Sequence, residues 1–345
     1  MQNAVFATIL YQMMTYLTAL RNRHFTLSRY MAPMLATAHK IVASLALLAA
    51  ALWLPVSPAL AETQRHPTRI ASALVPADAP AHPALWKVQK GATIIYLFGT
   101  VHALPADVQW LNGPLSKAFD ASDSLVTEII EKSPEDMRGI VFAKAMLPQG
   151  QNLRATLPAA TRIAMEKALK SNALPPAALD LYRPWYAAVA ISTLPLTRSG
   201  YDPANGVDTR LSQLAQAKGL AHEALETPEY QLGLFDSLPI KLQQTYLREV
   251  AIGAPKIAGE LTAMIEAWKR GNALQLARLM NAGENDPRLE NVLLIGRNRH
   301  WAQWIKTRLN KPGTVFMAVG AGHLAGKGSV QDQLKKLGIT ATRVQ

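Results

Sequence analysis

The sequence predicts an α/β protein: a central mixed β-sheet flanked by helices, with a large helical insertion. Two stretches, residues 94–102 and 314–323, carry this prediction, because each is an apolar run that ends in Gly-x-x-His. Continuous apolar runs of this length are typical of strands buried on both faces of a sheet. The third observation is the order strand, helix, strand between residues 93 and 130, which is typical of a βαβ unit.

The composition bounds the class of protein. Apolar residues make up 49% of the chain and charged residues 17%, as in globular proteins with a sizeable core. Cysteine is absent, which excludes disulfides, thiolate metal ligands and cysteine nucleophiles. The formal charge of +12 is spread without a lysine or arginine block, so we expect no nucleic-acid partner.

The first 61 residues are interpreted as an N-terminal extension followed by a signal peptide. The uncharged run 41–56 follows Lys40 and precedes Ala59-Leu60-Ala61, which is the order of a basic region, an apolar region and a small-residue cleavage site. Cleavage after Ala61 removes four basic residues and lowers the formal charge from +12 to +8. Met31 opens a more conventional signal and is taken as the true start.

This segment predicts a periplasmic or secreted protein. The alternative is a transmembrane anchor, but the apolar run is shorter than the roughly 20 residues that a spanning helix needs. We therefore expect no stable membrane span once the signal is cleaved. The oligomeric state stays open.

One domain is expected over residues 84–345, after a proline- and alanine-rich, disordered linker over residues 62–83. Lys90-Gly91-Ala92 predicts a hairpin turn, and Thr227 before Pro228 predicts a helix N-cap. The predicted strands cover residues 84–88, 93–98, 123–130, 220–225, 314–319 and 339–344. The predicted helices cover residues 113–121, a segment opening at Pro134, 159–171, 176–193, 208–218, 229–310 with a break near Gly283, and 331–337.

His102 and His323 are the leading candidates for chemistry. Gly99 and Gly320 allow a tight turn at the end of each apolar strand, after which the histidine projects into the crevice at the carboxyl edge of the sheet. A neutral imidazole is the commonest metal ligand and also a near-neutral acid or base. One such histidine is more often structural, but two copies of the unit favour a joint site.

Glu128 supplies a carboxylate in an otherwise apolar predicted strand. Burying it costs several kcal/mol unless it is paired, protonated or bound to a metal. The alternative is that it lies beyond the strand in solvent. With the two histidines it would suit a divalent metal with open positions for water and substrate, either as a ligand or as the base that activates water.

The predicted helix 289–309 offers further candidates. Its apolar residues fall on one arc at 3.6-residue spacing, with Arg297 inside the arc, Asn298 at its edge and Arg299 on the opposite side. An inward-facing arginine favours an anion, which is a site carboxylate, a substrate terminus or a developing oxyanion. The alternative is an arginine whose stem packs while its head reaches solvent.

Asp208 and Glu226 are supporting candidates. Asp208 lies at a helix start after a glycine-containing loop, where capping is the favoured role. Glu226 ends a predicted strand and is a candidate for the same crevice. The sequence lacks the His-Glu-x-x-His, Gly-x-Ser-x-Gly, P-loop and dinucleotide-binding motifs.

Taken together, these motifs resemble the TraB/PrgY/GumN family, which includes the Tiki metalloproteases, over residues 85–345. The resemblance is strongest for the bacterial GumN-like branch. It implies an α/β fold related to erythromycin esterase-like and ChaN-like proteins. The motifs that carry it are Leu85-Trp86-Lys87-Val88, 96–102, Glu128, Gly206-Val207-Asp208, 225–231, Arg297-Asn298 and 320–326.

The resemblance also implies a site. His102, Glu128 and His323 would be the metal ligands, and Glu128, Arg297 and Asn298 would act in catalysis. The metal would be a divalent ion of the manganese, cobalt or zinc class, and the substrate a peptide or protein. Gly296 stands where the family often has an acidic residue.

The leading hypothesis is therefore a periplasmic metal-dependent hydrolase, most simply a peptidase, in which Arg297 steadies an oxyanion or a substrate carboxylate. One alternative is a metal-free, esterase-like hydrolase with a histidine as general base. The other is a non-enzymatic periplasmic protein that binds haem or a peptide and is linked to envelope polysaccharide or signalling.

Overall fold

Six strands form one mixed sheet in the computed structural model, which describes residues 80–280 and 286–345. The strands lie in the order β4-β3-β5-β2-β1-β6. The first four in this order run parallel to one another, whereas β1 is antiparallel to both of its neighbours. The bounds are β1 Leu85–Lys90, β2 Thr93–Thr100, β3 Ser124–Thr127, β4 Ala221–Ala224, β5 Gly313–Gly320 and β6 Thr342–Arg343.

Helices flank this sheet, and most of them lie between β3 and β4 and between β4 and β5. This confirms the predicted α/β class, whereas the finer likeness to esterase-like, ChaN-like and Tiki-like folds stays a prediction. The helices are α1 Gly113–Asp120, α2 Pro134–Ala145, α3 Leu153–Thr156, α4 Ala159–Ser171, α5 Pro184–Arg198, α6 Val207–Lys218, α7 Pro228–Asp236, α8 Ile240–Gly253, α9 Ile257–Lys269, α10 Ala273–Met280, α11 Pro287–Glu290, α12 Gly296–Arg308 and α13 Val330–Lys336.

Both faces of the sheet are covered, which is why β2 and β5 read as continuous apolar runs. On one face, Leu97 and Met317 pack with Trp301 of α12. On the other face, the rings of Phe98 and Phe316 pack with their centroids 5.7 Å apart. They belong to a core that extends through the helices between β3 and β4 and between β4 and β5. The carboxyl halves of β2 and β5 are therefore fully buried.

Several predicted elements are shorter in the structure. β3 ends at Thr127, so that Glu128 is the first residue beyond the strand and not a residue within it. The helix predicted over 176–193 begins at Pro184, because proline is pre-set for the first helical turn, and Tyr182 precedes it. The last strand spans only Thr342–Arg343.

The helix predicted over residues 289–309 is interrupted. Asn291–Ile295 forms a π-helical segment between α11 and α12, which places one extra residue in the turn. As a result Asn298, which the regular 3.6-residue pattern puts at the edge of the apolar arc, is fully buried together with Arg297. Arg299 is exposed, as the pattern predicts.

Several predictions fall on parts of the chain that lie outside the described residues. These are the N-terminal extension, the signal peptide and its cleavage site, most of the linker, and the helix break near Gly283. Within the last residues of the predicted linker, Ala81 and His82 donate backbone hydrogen bonds to Gln109 and Lys269, so the chain is already paired there.

Along the described ranges, no helix is long and apolar enough to cross a membrane.

The loop before α6 passes very close to the end of β2. The N–H of Val207 donates to the carbonyl of Val101 at 2.9 Å. A Cβ on Gly206 would lie 2.4 Å from the carbonyl oxygen of His102 and 2.9 Å from that of Pro203. Both obstructing atoms belong to the backbone, so only glycine fits at this position without a shift of the chain.

We expect Gly206→Ala to lower the free energy of unfolding by about 1–3 kcal/mol, because the added methyl group overpacks the contact with His102. The matched control is Gly233→Ala in α7, where a Cβ meets nothing within 4 Å and alanine favours the helix by up to about 1 kcal/mol. Chemical denaturation of both variants measures the difference. Equal stability of the two variants would contradict the close approach.

Candidate active site

Four side chains follow the carboxyl ends of the four parallel strands. His102 lies two residues after β2, Glu128 directly after β3, Glu226 two residues after β4 and His323 three residues after β5. The backbone N–H of Glu226 donates to the carbonyl of Glu128 at 2.8 Å, which keeps these two strand ends side by side. The parallel sheet thus gathers groups that are up to 221 residues apart in sequence at one edge.

Gly320 stands at the centre of this group. Its N–H donates to Oε1 of Glu128 at 2.7 Å. A Cβ on Gly320 would lie 3.1 Å from Glu128 Oε1, 3.7 Å from His323 Cδ2 and 3.8 Å from His102 Nε2. The two histidines and the glutamate predicted from sequence therefore surround one glycine, and any side chain there would fill the space between them.

Asp208 holds His102. Its Oδ2 lies 2.6 Å from Nδ1 of His102, and its Oδ1 accepts a hydrogen bond from the Thr100 hydroxyl at 2.7 Å. The predicted capping role of Asp208 is wrong: the residue before α6 is Gly206, and no side chain caps this helix end. A contact across more than 100 residues of sequence outweighs the local preference for a cap.

This carboxylate sets the charge of His102. Nδ1 of the imidazole lies against Asp208 Oδ2, and Nε2, on the other side of the ring, lies towards Gly320. Burial disfavours the charged imidazole, but the Asp208 carboxylate outweighs burial and raises the pKa of His102 above its ordinary value of 6.5. The side chain is 8% exposed, so water reaches it only at one edge.

Asn298 plays the corresponding part for His323. Its Oδ1 lies 2.5 Å from Nδ1 of His323, and its Nδ2 donates to the carbonyl of Gly328 at 2.9 Å. The second contact orients the amide, so that an oxygen faces the imidazole and Nδ1 carries the proton. Burial and the Arg297 cation lower the pKa of His323 to about 3, so this imidazole is neutral near pH 7 and has its lone pair on Nε2.

Arg297 is completely enclosed between the two carboxylates. Its Nε donates to Glu226, and its Nη2 donates to both Glu226 at 2.8 Å and Glu128 at 2.5 Å. Its Nη1 donates to the Leu293 carbonyl and to Nε2 of His323 at 3.2 and 3.1 Å. A guanidinium has five N–H groups, and all five are engaged here. The structure therefore leaves no N–H of Arg297 for an oxyanion or a substrate carboxylate, the role expected from sequence.

Sequence reasoning missed two further donors to this ion cluster. Gln231 Nε2 donates to both Glu128 and Glu226, at 3.0 and 2.9 Å. Trp301, expected only as an apolar packing residue, donates from Nε1 to Glu226 at 3.0 Å. The available signal was that two buried carboxylates need more donors than one arginine supplies. Glu226 itself lies beside Arg297 at the strand ends, and its supporting role stays a prediction.

The cluster carries an excess of negative charge. Three carboxylates, of Glu128, Glu226 and Asp208, face a single guanidinium. Burial alone would raise the pKa of Glu128, but Arg297, the two histidines and the N–H of Gly320 hold that pKa well below its ordinary value. Glu128 is therefore ionised, and its Oε1 accepts a protein hydrogen bond only from Gly320 among the described residues.

The donor chemistry of this cluster suits a divalent ion, with one exception. Two imidazoles with oriented Nδ1 atoms and one ionised carboxylate converge beside Gly320, and the excess negative charge favours a cation. The exception is Nε2 of His323, whose lone pair accepts from Arg297. Across the two described ranges, no three His, Cys, Asp or Glu side chains are arranged to hold a metal ion as they stand.

Comparison with known proteins identifies the family. The model of the TraB/PrgY/gumN family matches residues 84–343 of this chain. The chain belongs to the TraB/PrgY/gumN family. This confirms the family resemblance derived from the strand ends and the Arg297-Asn298 pair.

Two relatives agree with this family assignment. The protein named "Uncharacterized protein YbaP" of Escherichia coli (strain K12) is 23% identical over 256 residues, which are 73% of this chain and 92% of that protein. The protein of the same name from Shigella flexneri matches with the same identity and coverage. No solved structure matches this member of the family.

We expect Asp208→Asn to lower the pKa of His102 in the metal-free protein, because the carboxylate that raises this pKa is removed. The stability from this contact is present below pH 6.5 and is lost as the pH rises through the raised pKa of the folded state. The loss of unfolding free energy in Asp208→Asn should therefore be larger at pH 5 than at pH 9.

NMR titration of the histidine ring protons measures this shift. His222 is an internal control, since it contacts Thr127 and not Asp208, and its pKa should be the same in both proteins. An unchanged pKa of His102 would show that Asp208 does not control its charge.

Proposed function

We propose that this protein is a metal-dependent hydrolase whose ion is held by His102, Glu128 and His323. The observation that carries the proposal is the orientation of the two imidazoles. Asp208 and Asn298 each hold an Nδ1 atom, at 2.6 and 2.5 Å, and so direct both Nε2 atoms towards the side of Glu128. Carboxylates and amides behind metal-binding histidines commonly play this part.

The ion would supply a bound water whose pKa is close to neutral. The residues of the chain have separate tasks around it. Glu128 Oε1 accepts only from Gly320 among the described residues and is the carboxylate oxygen that would bind the ion. Arg297 and Gln231 hold the other oxygen, Oε2, and thereby fix the plane of the carboxylate. Arg297 is thus a positioning residue for Glu128.

A peptide or protein is the proposed substrate class, and its support is the family. The motifs of this chain resemble those of the Tiki metalloproteases, which belong to the same family. The scissile bond of such a substrate would lie beside Gly320, between His102 and Glu128.

A second candidate function is a metal-free hydrolase. The observation that favours it is the contact between His102 Nδ1 and Asp208, because a histidine oriented by a carboxylate through Nδ1 is an effective general base through Nε2. Under this alternative His323 is structural, held by Asn298 and Arg297 on its two nitrogen atoms.

Metal analysis and hydrolysis assays of the same preparations separate these functions. We expect about one divalent ion per chain in the wild type and a loss of at least tenfold in metal affinity in His102→Ala and in His323→Ala, because each removes one ligand. His300→Ala is the matched control, since His300 is exposed on α12 and outside the cluster. Cleavage of a peptide library should stop in excess chelator and return with manganese, cobalt or zinc.

Three outcomes would contradict this proposal in different ways. Unchanged metal content in both histidine variants would rule out the ion site. Full hydrolysis in excess chelator would favour the metal-free hydrolase. Absence of both metal and hydrolysis, with haem or a peptide co-purifying, would favour a binding protein.

We also propose that the protein acts in the periplasm or outside the cell. The support is the order of charge, apolar run and small residues in the sequence up to Ala61. We expect the exported protein to begin at Glu62, and N-terminal sequencing of the chain from a periplasmic fraction measures this. A chain that keeps its signal segment and stays with the cytoplasmic fraction would contradict the proposal.

A further inference from the structure

Both nitrogen atoms of His323 are engaged. Nδ1 lies against Asn298 Oδ1, and Nε2 accepts an N–H of Arg297 at 3.1 Å. His102 differs, since its Nδ1 is held by Asp208 but its Nε2 has no hydrogen-bond partner among the described residues. Of the two histidines in the cluster, only His102 has an Nε2 without a hydrogen-bond partner among the described residues, and this atom lies on the side of Gly320.

An N–H donor and a metal ion cannot use the same lone pair. The N–H of Arg297 occupies the position on His323 that an ion would need, and the guanidinium adds a repulsive charge beside it. We infer that Arg297 competes with the metal ion for His323 and thereby lowers the metal affinity of the site. This inference rests on the metal site of the proposed function.

The arginine can give up His323 without leaving its position. Four of its five N–H groups bind elsewhere, to Glu226, Glu128 and the carbonyl of Leu293. Glu226 is the main anchor, because it accepts from Nε and Nη2 of Arg297 and also from Trp301. Loading of the ion therefore costs one hydrogen bond, and the helix α12 keeps its contact with the sheet edge.

Competition and simple structural support predict opposite results. If Arg297 only supports the site, its removal loosens Glu128 and weakens metal binding. If Arg297 competes for His323, its removal frees Nε2 and also removes a like charge, so that metal binding becomes stronger. The expected gain is on the order of tenfold or more, corresponding to one hydrogen bond from a charged donor.

The test variant is Arg297→Met combined with Glu226→Gln. Arg297→Met alone leaves two buried carboxylates without their cation, which is strongly destabilising, whereas the double change removes one charge of each sign. The matched control is Arg154→Met with Asp180→Asn. That pair is also doubly hydrogen-bonded, at 2.7 and 2.6 Å, but it connects α3 to the segment before α5, away from the cluster.

The measurement is a titration of metal-stripped protein with Zn²⁺ in competition with a coloured chelator, after thermal melting shows that each variant is folded. We expect tighter Zn²⁺ binding in the Arg297/Glu226 variant and wild-type binding in the Arg154/Asp180 control. Adding His323→Ala to the Arg297/Glu226 variant should abolish the gain, because the gain depends on the released Nε2.

The other outcomes contradict the competition, the proposed function or both. Unchanged or weaker binding in a folded Arg297/Glu226 variant, with Zn²⁺ bound by the wild type, contradicts the competition and leaves the proposed function intact. A gain that persists without His323 shows charge repulsion alone and also contradicts the competition. Zn²⁺ binding by none of the proteins overturns both the competition and the metal site. Binding by the Arg297/Glu226 variant alone supports the competition but contradicts the metal-dependent function proposed for the wild type.

Discussion

The structure of this site depends on one buried guanidinium that is shared by two carboxylates. Glu128 and Glu226 follow neighbouring strands and would repel each other in a dry environment, and the desolvation of Arg297 is offset only if its donors are fully used. The contacts of Arg297 meet both conditions, because each of its N–H groups has an acceptor. The same contacts fix how α12 lies against the strand ends, and α12 in turn carries the amide of Asn298 that orients His323.

The parallel sheet explains why these groups meet at all. Four strands run in one direction, so the residues that follow them share one edge of the sheet. Parallel strands need long connections, and here the connections supply the helices that cover both faces. The indole of Trp268, at the end of α9, donates to the carbonyl of Gly99 at 2.7 Å, so α9 also fixes the end of β2. The strand ends are thus held from the helical side as well as from the sheet.

The sequence was sufficient to place the sheet, the two histidines, Glu128 and Glu226, and to predict the inward position of Arg297. Apolar periodicity indicates the strands and the buried helix face, and a glycine marks the end of each strand that precedes a histidine. It was insufficient for Asp208, whose partner His102 is distant in sequence and whose local context favours a cap. It also missed Gln231 and Trp301, since helical spacing shows which face is buried but not which buried donor meets which acceptor. The burial of Asn298 was underestimated, because a regular helix was assumed where the chain has a π-turn.

That π-turn has a consequence for how the chain tolerates changes in length. Asn291–Ile295 adds one residue to the winding, and each residue of an α-helix turns the following side chains by about 100°. Deleting a single residue there would convert the π-turn into a regular α-turn, so that Arg297, Asn298 and Trp301 would keep their orientation towards the sheet. The segment thus takes up a difference of one residue in chain length, whereas a deletion within Gly296–Arg308 would change which side chains face the sheet.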